Sequence, residues 1–294
     1  MATLALRGRV LDPTPAAPAI MGIVNASPES FSDGAATTLA QQVERGRALL
    51  AAGASILDVG GESGVTDGPP LDPGVEIDRV VPLVAALVAL GATVSVDTWK
   101  APVARAALEA GAHLVNDVSG LADPAVAEAC AAHGAGLVVM HTRAAPKVKS
   151  FPAYADVAAD VAGFLAERLD RARQLGVAAE GVVLDPGPDF AKTPAQTVAV
   201  LRDLARIAAL GRPLLLAVSR KDFVGALTGR RPRARLAGTL AAVGEGLAAG
   251  ASVLRVHDVA EVVDFLAVRS ALRGEAEVPE RLALAEHLRR ERPG

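Results

Sequence analysis

Short apolar runs alternate along this chain with longer segments whose apolar residues recur every three or four positions, and the alternation repeats eight times. The short runs, read as strands, begin near Ile20, Ser55, Thr93, Leu114, Gly136, Val182, Leu214 and Ser252. The Ala- and Leu-rich segments predict helices at roughly 37–52, 74–90, 101–110, 124–133, 154–175, 194–209, 234–249 and 259–272. Punctuation agrees with these limits. Asp123-Pro124 and Thr193-Pro194 are helix starts, and Gly53, Gly91, Gly111, Gly176 and Gly250 are helix ends. Eight strand–helix units predict an α/β fold, a single (β/α)8 TIM barrel over about 18–273 in one domain of residues 1–294. The charged segment after Gly274 is expected to add a short C-terminal helical extension. A doubly wound open sheet is the main rival, but it usually has fewer strands.

In such barrels chemistry sits at the C-terminal strand ends and the loops that follow. Polar residues fall there on one strand after another: Asn25, Asp58, Asp97, Asn116, His141, Asp185, Ser219-Arg220-Lys221, and Arg255 with His257. Each alone has a plain structural reading. Asp97-Thr98 suits a helix cap, Asn116-Asp117 a turn, and Lys221 a solvated surface. Their convergence on one barrel mouth predicts a site.

Composition narrows the chemistry. With 51% hydrophobic residues but 3% aromatic, the core is built from Ala, Val and Leu. Net charge is −3 and no basic run stands out, which argues against nucleic-acid or anionic-membrane partners. Cys130 is alone, excluding an internal disulfide or a multi-cysteine metal site. The N-terminus lacks a signal-peptide pattern, and the longest uncharged stretch, Val80 to Val96, has 17 residues interrupted by Pro82 and Gly91. A cytoplasmic protein is expected. The mouth's mixture of carboxylates, amides and cations suits a flat nitrogen heterocycle, whose edge a carboxylate grips through paired N–H groups. Arg255, His257 and Asn25 suit a phosphate or diphosphate. No HxH, HExxH or Asp cluster is present, so any metal is a weakly held Mg²⁺ shared with substrate phosphates.

The stretch Ile20-Met-Gly-Ile-Val-Asn25-Ala-Ser-Pro-Glu-Ser-Phe-Ser-Asp33-Gly resembles the first-strand signature of the dihydropteroate synthase family. Asp58-Val-Gly-Gly-Glu-Ser63, Ser95-Val-Asp97-Thr, Asn116-Asp117, Asp185-Pro-Gly187, Ser219-Arg-Lys221 and Arg255-Val-His-Asp258 follow in the family's order, so the resemblance runs from Ile20 to about Leu272. It implies condensation of 6-hydroxymethyl-7,8-dihydropterin diphosphate with p-aminobenzoate, giving 7,8-dihydropteroate and diphosphate for folate synthesis. By position, Asp97, Asn116 and Asp185 are implied to hold the pterin edge, with Lys221 over the ring and Val118 and Met140 packed nearby. Asn25 is implied to touch Mg²⁺, and Arg255 and His257 to bind diphosphate together with Asn25. Asn25, Asp33, Asp97 and Lys221 are implied to act in catalysis, with the loop around Asp33 closing over the leaving group. Ser27, Pro28, Phe190, Ser219, Arg220 and Asp222 are implied to face the second substrate, an aromatic amine. The resemblance also implies a homodimer joined through the helices around 194–209 and 234–272.

The chain departs from the family in one quarter. Gly64-Val65-Thr66-Asp67 replaces a Thr-Arg-Pro-Gly loop, Asp189 and Ala191 replace the glycines flanking Phe190, and Asp222 replaces a small residue. One cation is lost and two carboxylates are gained where an anionic amine is expected. A like charge about 4 Å away costs on the order of 1–4 kcal/mol at a partly screened site. Asp222 turned away as a helix cap is the competing structural reading. Three functions therefore stay open: the family reaction, a paralogue using a neutral or cationic amine, and a reduced-pterin-binding protein without turnover.

Overall fold

A computed structural model describes residues 3–26, 38–62 and 69–289. The barrel strands are β3 (Ala19–Asn25), β4 (Ile56–Gly60), β5 (Val94–Asp97), β6 (Leu114–Asp117), β7 (Gly136–Met140), β8 (Val182–Asp185), β9 (Leu215–Leu216) and β10 (Val253–Val256). They pair in parallel in the order β8-β7-β6-β5-β4-β3-β10-β9. A parallel bridge from Leu184 to Leu214, reinforced by Leu184 N–H donating to Pro213 O at 3.0 Å, brings β8 against the start of β9 and nearly closes the ring. Helices α1 (Leu39–Ala51), α2 (Pro73–Ala89), α3 (Ala101–Glu109), α4 (Pro124–His133), α5 (Val157–Gln174), α6 (Pro194–Arg202), α7 (Leu204–Ala208), α8 (Asp222–Thr228), α9 (Leu236–Ala248) and α10 (Val259–Leu272) surround it. This is a (β/α)8 barrel.

Local chemistry explains the helix starts. Thr38 and Thr193 each close a capping box with the glutamine three residues on, at the heads of α1 and α6. Asp72 and Asp123 accept first-turn N–H groups, and Pro73, Pro124 and Pro194 occupy first helical positions, where an N–H has no partner to lose. Gly53 and Gly250, both at φ 106°, turn the chain out of α1 and α9 into the next strand.

Four features differ from the sequence expectation, one being the short helix α8 (Asp222–Thr228), which no predicted segment covers. The helix expected at 194–209 is broken at Asp203 into α6 and α7. An unpredicted hairpin, β1 (Leu4–Leu6) with β2 (Arg9–Leu11), precedes the barrel, its three-residue strands being too short to show periodicity. After Gly274, helix is confined to one 3-10 turn, Glu286–Leu288, among the described residues. The hairpin plugs the barrel floor: Leu4 and Leu6 are buried with Met21, Ile56, Leu114, Val138, Val183, Leu215 and Val253. Residues of the other parity, such as Leu57, Val96, Val115, Val139, Leu184 and Leu254, join the larger core beneath the helices.

Candidate active site

Strand parity places the polar residues. The floor residues Met21, Ile56, Leu114, Val138, Val183 and Val253 point inward. Two or four positions further along the same faces lie Asn25, Asp58, Asn116, Met140, Asp185, Arg255 and His257. Asp97 pairs in register with Asn116 and with Gly60, and Met140 with Asp185. The C-terminal mouth is therefore lined by the residues that follow the floor.

Arg255 organises one wall. Its Nε donates to Asp58 Oδ2 at 2.6 Å and its Nη2 to Asp97 Oδ2 at 2.6 Å. Asn116 Nδ2 donates to the same Asp58 oxygen at 3.2 Å. Asp58 Oδ1 and Asn116 Oδ1 are buried with no partner among the described residues. Two orphaned acceptors on β4 and β6, the strands either side of Asp97 on β5, are unfavourable in an empty pocket and suited to a ligand that presents N–H groups. Burial, with Asp58 and Glu76 adding to it, pushes the Asp97 carboxyl up to about 7 despite Arg255 and Lys221. Two of the donors on Arg255, assigned from sequence to diphosphate, are thus engaged by carboxylates at the mouth.

Asp185 and Lys221 form the opposite side. Asp185 Oδ1 accepts from Gly187 N–H at 2.7 Å, and burial holds its carboxyl above the usual range. The Lys221 ammonium lies 4.3 Å from the centre of the Phe190 ring. Burial lowers its pKa against the pull of Asp189, Asp185 and Asp97. Met140 is buried at the end of β7, and Val118 is half-buried in the turn after β6.

On the β9–β10 side, Ser219 Oγ accepts from His257 N–H at 3.2 Å and lies 2.9 Å from His257 Nδ1. The hydroxyl thus holds both the backbone and the ring of His257. Burial, followed by Arg255 and Arg220, pushes the ring down to about 4, so it is neutral near pH 7. Arg220, at φ 58°, is fixed by a two-point ion pair with Asp258. Asn25 ends β3 with its side chain exposed. Among the described residues no group of three His, Cys, Asp or Glu converges as a metal cage. A single amide oxygen at Asn25 fits the weak mode in which Mg²⁺ takes one protein oxygen, waters and a phosphate. Ser27, Pro28 and Asp33 lie outside the described residues, as does the 64–67 departure.

The two introduced carboxylates behave differently from the sequence expectation. Asp222 is 87% exposed at the first position of α8 and pairs with Arg235 Nη1 at 2.9 Å. An exposed, paired carboxylate has little reach, about 0–1 kcal/mol. Asp189 accepts from Thr197 Oγ1 at 3.1 Å and from Phe223 N–H at 3.2 Å, so its charge is tied to the head of α8. The expected repulsion of an anionic amine is thus largely neutralised at Asp222.

His141 does not join the mouth. It is one residue past Met140 and therefore of opposite parity, packing edge-on to Phe164 at 5.0 Å and meeting Asp160 at 2.9 Å. Sequence reasoning also missed three cations. Lys100 Nζ reaches Glu62, Glu76 and Leu71 O, each at 2.6 Å, clamping both flanks of the 63–68 segment. Burial pushes the Glu62 carboxyl up but is outweighed by Lys100, Leu71 N–H and Lys147, which hold it below its usual value. Arg235 donates to the carbonyls of Arg220 at 2.8 Å, Lys221 at 3.2 Å and Arg230 at 2.9 Å. Lys192 is buried behind the β8 loop. The Lys100 position next to Asp97-Thr98 was readable; Lys192 depends on His141, 51 residues away, and Arg235 on how the loops around α8 fold back on it. A basic run passed over in sequence, Arg230, Arg231, Arg233 and Arg235, follows α8.

A family model described as "Pterin binding enzyme" matches residues 21–257. The chain is 44% identical over 264 residues to the dihydropteroate synthase of Mycobacterium leprae, covering 86% of this chain and 92% of that protein. It is 37% identical over 258 residues to the dihydropteroate synthase of Synechocystis sp., covering 86% and 89%. Among solved structures, Xanthomonas albilineans dihydropteroate synthase with 4-aminobenzoic acid matches with a TM-score of 0.86 at 40% identity, over 95% of this chain and 100% of that one. The same protein in complex with 7,8-dihydropteroate matches with a TM-score of 0.83 at 40% identity, over 94% and 100%.

Proposed function

Since the chain belongs to the pterin-binding enzyme family, we propose that it is a dihydropteroate synthase-type transferase. It joins 6-hydroxymethyl-7,8-dihydropterin diphosphate to p-aminobenzoate in folate biosynthesis. The observation that carries this reading is the pair of unsatisfied acceptors, Asp58 Oδ1 and Asn116 Oδ1, beside Asp97 and facing the Lys221–Phe190 pair. A reduced pterin offers N–H donors along its pyrimidinone edge and an electron-rich face. Asp97, Asn116 and Asp185 take the edge, Lys221 lies over the ring against its carbonyl or ring nitrogen, and Val118 and Met140 pack around it.

In the reaction the C–O bond at the pterin methylene breaks, diphosphate leaves with the electron pair, the aniline nitrogen attacks that carbon, and its proton passes to solvent. The chain's work is positioning and electrostatic stabilisation. With Ser219 Oγ donating to Nδ1, the tautomer proposed for the reaction, the neutral His257 presents an Nε2–H to the leaving oxygens, while Arg255, with Nη2 and Nε committed, has Nη1 to offer among the described residues. Asn25 would hold a magnesium ion arriving with the substrate, which would further neutralise the diphosphate.

The neutralised Asp222 favours p-aminobenzoate over a neutral or cationic amine. Purified protein with Mg²⁺, the pterin diphosphate and p-aminobenzoate is expected to release diphosphate. Release no faster than from Lys221→Ala defeats the proposal, and tight pterin binding without turnover leaves the binding-protein reading standing. Among the described residues no helix is long and apolar enough to cross a membrane. We also propose that the protein works in the cytoplasm, as one domain, and as a homodimer joined through α9 and α10. Val268 and Leu272 stand exposed there at 61% and 83% beside Phe265. A sedimentation mass of one chain excludes the dimer.

A further inference from the structure

Behind the loop that follows β8 lies a lysine that the reaction above does not use. Lys192 is 1% exposed. Its Nζ lies 2.7 Å from His141 Nδ1 and donates to the carbonyls of Gly187 and Phe190 at 3.0 Å each, with His141 O further off at 3.4 Å. His141 is locked to receive it. Its Nε2 faces Asp160 Oδ1 at 2.9 Å, and Asp160 is in turn held by Arg143 Nε at 3.0 Å and Nη2 at 2.8 Å. Burial, followed by Lys192, pushes the His141 ring down to about 4, so it is neutral, with its proton on Nε2 and its Nδ1 lone pair aimed at the ammonium. An ammonium has three N–H groups, and here three close acceptors meet them.

The loop so gripped is strained. Gly187 has φ 63°, and a side chain there would meet His141 O at 2.1 Å. Asp189 and Ala191, both with side chains, also sit in the left-handed region at φ 65° and 50°. Turning Gly187 O and Phe190 O inward toward Lys192 points the rest of the loop at the mouth by two routes. Gly187 N–H donates to Asp185 Oδ1 at 2.7 Å, and the Phe190 ring lies under the Lys221 ammonium at 4.3 Å. Lys192 is itself part of this loop, its side chain folded back beneath it, and among the described residues the other side-chain donor to the loop's backbone carbonyls is Tyr154 OH, to Ala191 O at 2.9 Å.

We infer that Lys192 is a positioning residue for the pterin: from behind the loop it sets the orientation of Asp185 and the placement of Phe190 and Lys221 that grip the ring. The inference rests on the proposed pterin function and adds to it a residue that touches no substrate. Protonation supports it. Burial pulls Lys192 down to about 7, with Lys221 adding to that and Asp185, Asp160 and Asp189 opposing it. Besides these, the charged or titratable groups around it among the described residues include His141, Arg143 and Tyr154, whose hydroxyl reaches Ala191 O. A neutral amine has two N–H groups and cannot serve all three acceptors, so the grip loosens as pH rises through that value.

The test is Lys192→Met, which keeps the length and removes the charge. Diphosphate release is followed with the pterin diphosphate and p-aminobenzoate varied separately, alongside thermal melting. The expected result is a KM for the pterin raised tenfold or more with the KM for p-aminobenzoate within about twofold. The ratio of wild-type to variant kcat/KM for the pterin should also fall above pH 7. A variant that melts like wild type and keeps its pterin KM overturns the inference. Should the variant fail to fold, an NMR titration of Lys192 Nζ in the wild type decides. A pKa raised by pterin binding supports the positioning role, and an unchanged one overturns it. A wild type that neither binds pterin nor releases diphosphate overturns the underlying function as well, which separates the two failures.

Discussion

Replacing Asp97 with asparagine tests the electrostatics of the mouth most directly. In the structure its Oδ2 accepts from Arg255 Nη2 at 2.6 Å, and burial beside Asp58 and Glu76 raises its carboxyl to about 7. Only the carboxylate accepts two N–H groups from a pterin edge, so binding is coupled to loss of that proton. The sign follows: a raised pKa means the binding-competent form is depleted as pH falls through about 7, and near pH 6 only about a tenth is ionised. Well above pH 7, Asp97→Asn forfeits a hydrogen bond to a charged group, worth about 1.5–3 kcal/mol, so kcat/KM for the pterin should fall on the order of tenfold to a hundredfold. At pH 6 the wild type has itself lost about tenfold, and the gap should shrink by that factor. The assay is diphosphate release at limiting pterin diphosphate between pH 5.5 and pH 8.5, expressed as the ratio of wild type to variant. That ratio cancels titration of the substrate's own phosphates. A ratio that stays constant across the range refutes the raised carboxyl, and a ratio near one throughout removes Asp97 from the pterin edge.

Other consequences are quicker to check. Arg235→Ala strips donors from the carbonyls of Arg220, Lys221 and Arg230, and should cost about 1–3 kcal/mol in urea unfolding, whereas Asp222→Ala, exposed at 87%, should cost less than about 0.5 kcal/mol; equal losses contradict the network. Ala191→Gly relieves a left-handed φ of 50° and should stabilise by about 1 kcal/mol, read as a higher melting temperature; a fall shows that the strain is not there. An NMR titration of His257 should find its ring neutral down to about pH 4, and a value near 6.5 would mean that burial against Arg255 and Arg220 is not felt. Leu4→Ala should cost about 2–5 kcal/mol, since the side chain is fully buried in the barrel floor; an unchanged melt would mean that the hairpin is not docked.

Much of this protein was determined by the order of its residues alone. A period of two in the strands and of 3.6 in the helices is a local property, and it located the barrel elements within a few residues. Parity then carried Asn25, Asp97, Asn116, Asp185 and Arg255 to the inner face, because each lies an even number of positions beyond an apolar residue of the floor, or in register with one that does. The same arithmetic, applied to His141, shows why a polar strand end one step past Met140 turns outward to Phe164 and Asp160.

What only the tertiary structure decided is which of these groups meet. Arg255 is 197 residues from Asp58 and 158 from Asp97, and Lys192 is 51 from His141. Such pairs are set by closure of the barrel and by the need of each buried charge for a partner, and neither leaves a mark on the neighbouring sequence. Charge counting along the chain made Asp222 an obstacle to an anionic amine; its exposure and the Arg235 guanidinium across from it made it a surface ion pair. A carboxylate's influence depends on its solvation and its neighbours in space, and these exist only once the chain has folded.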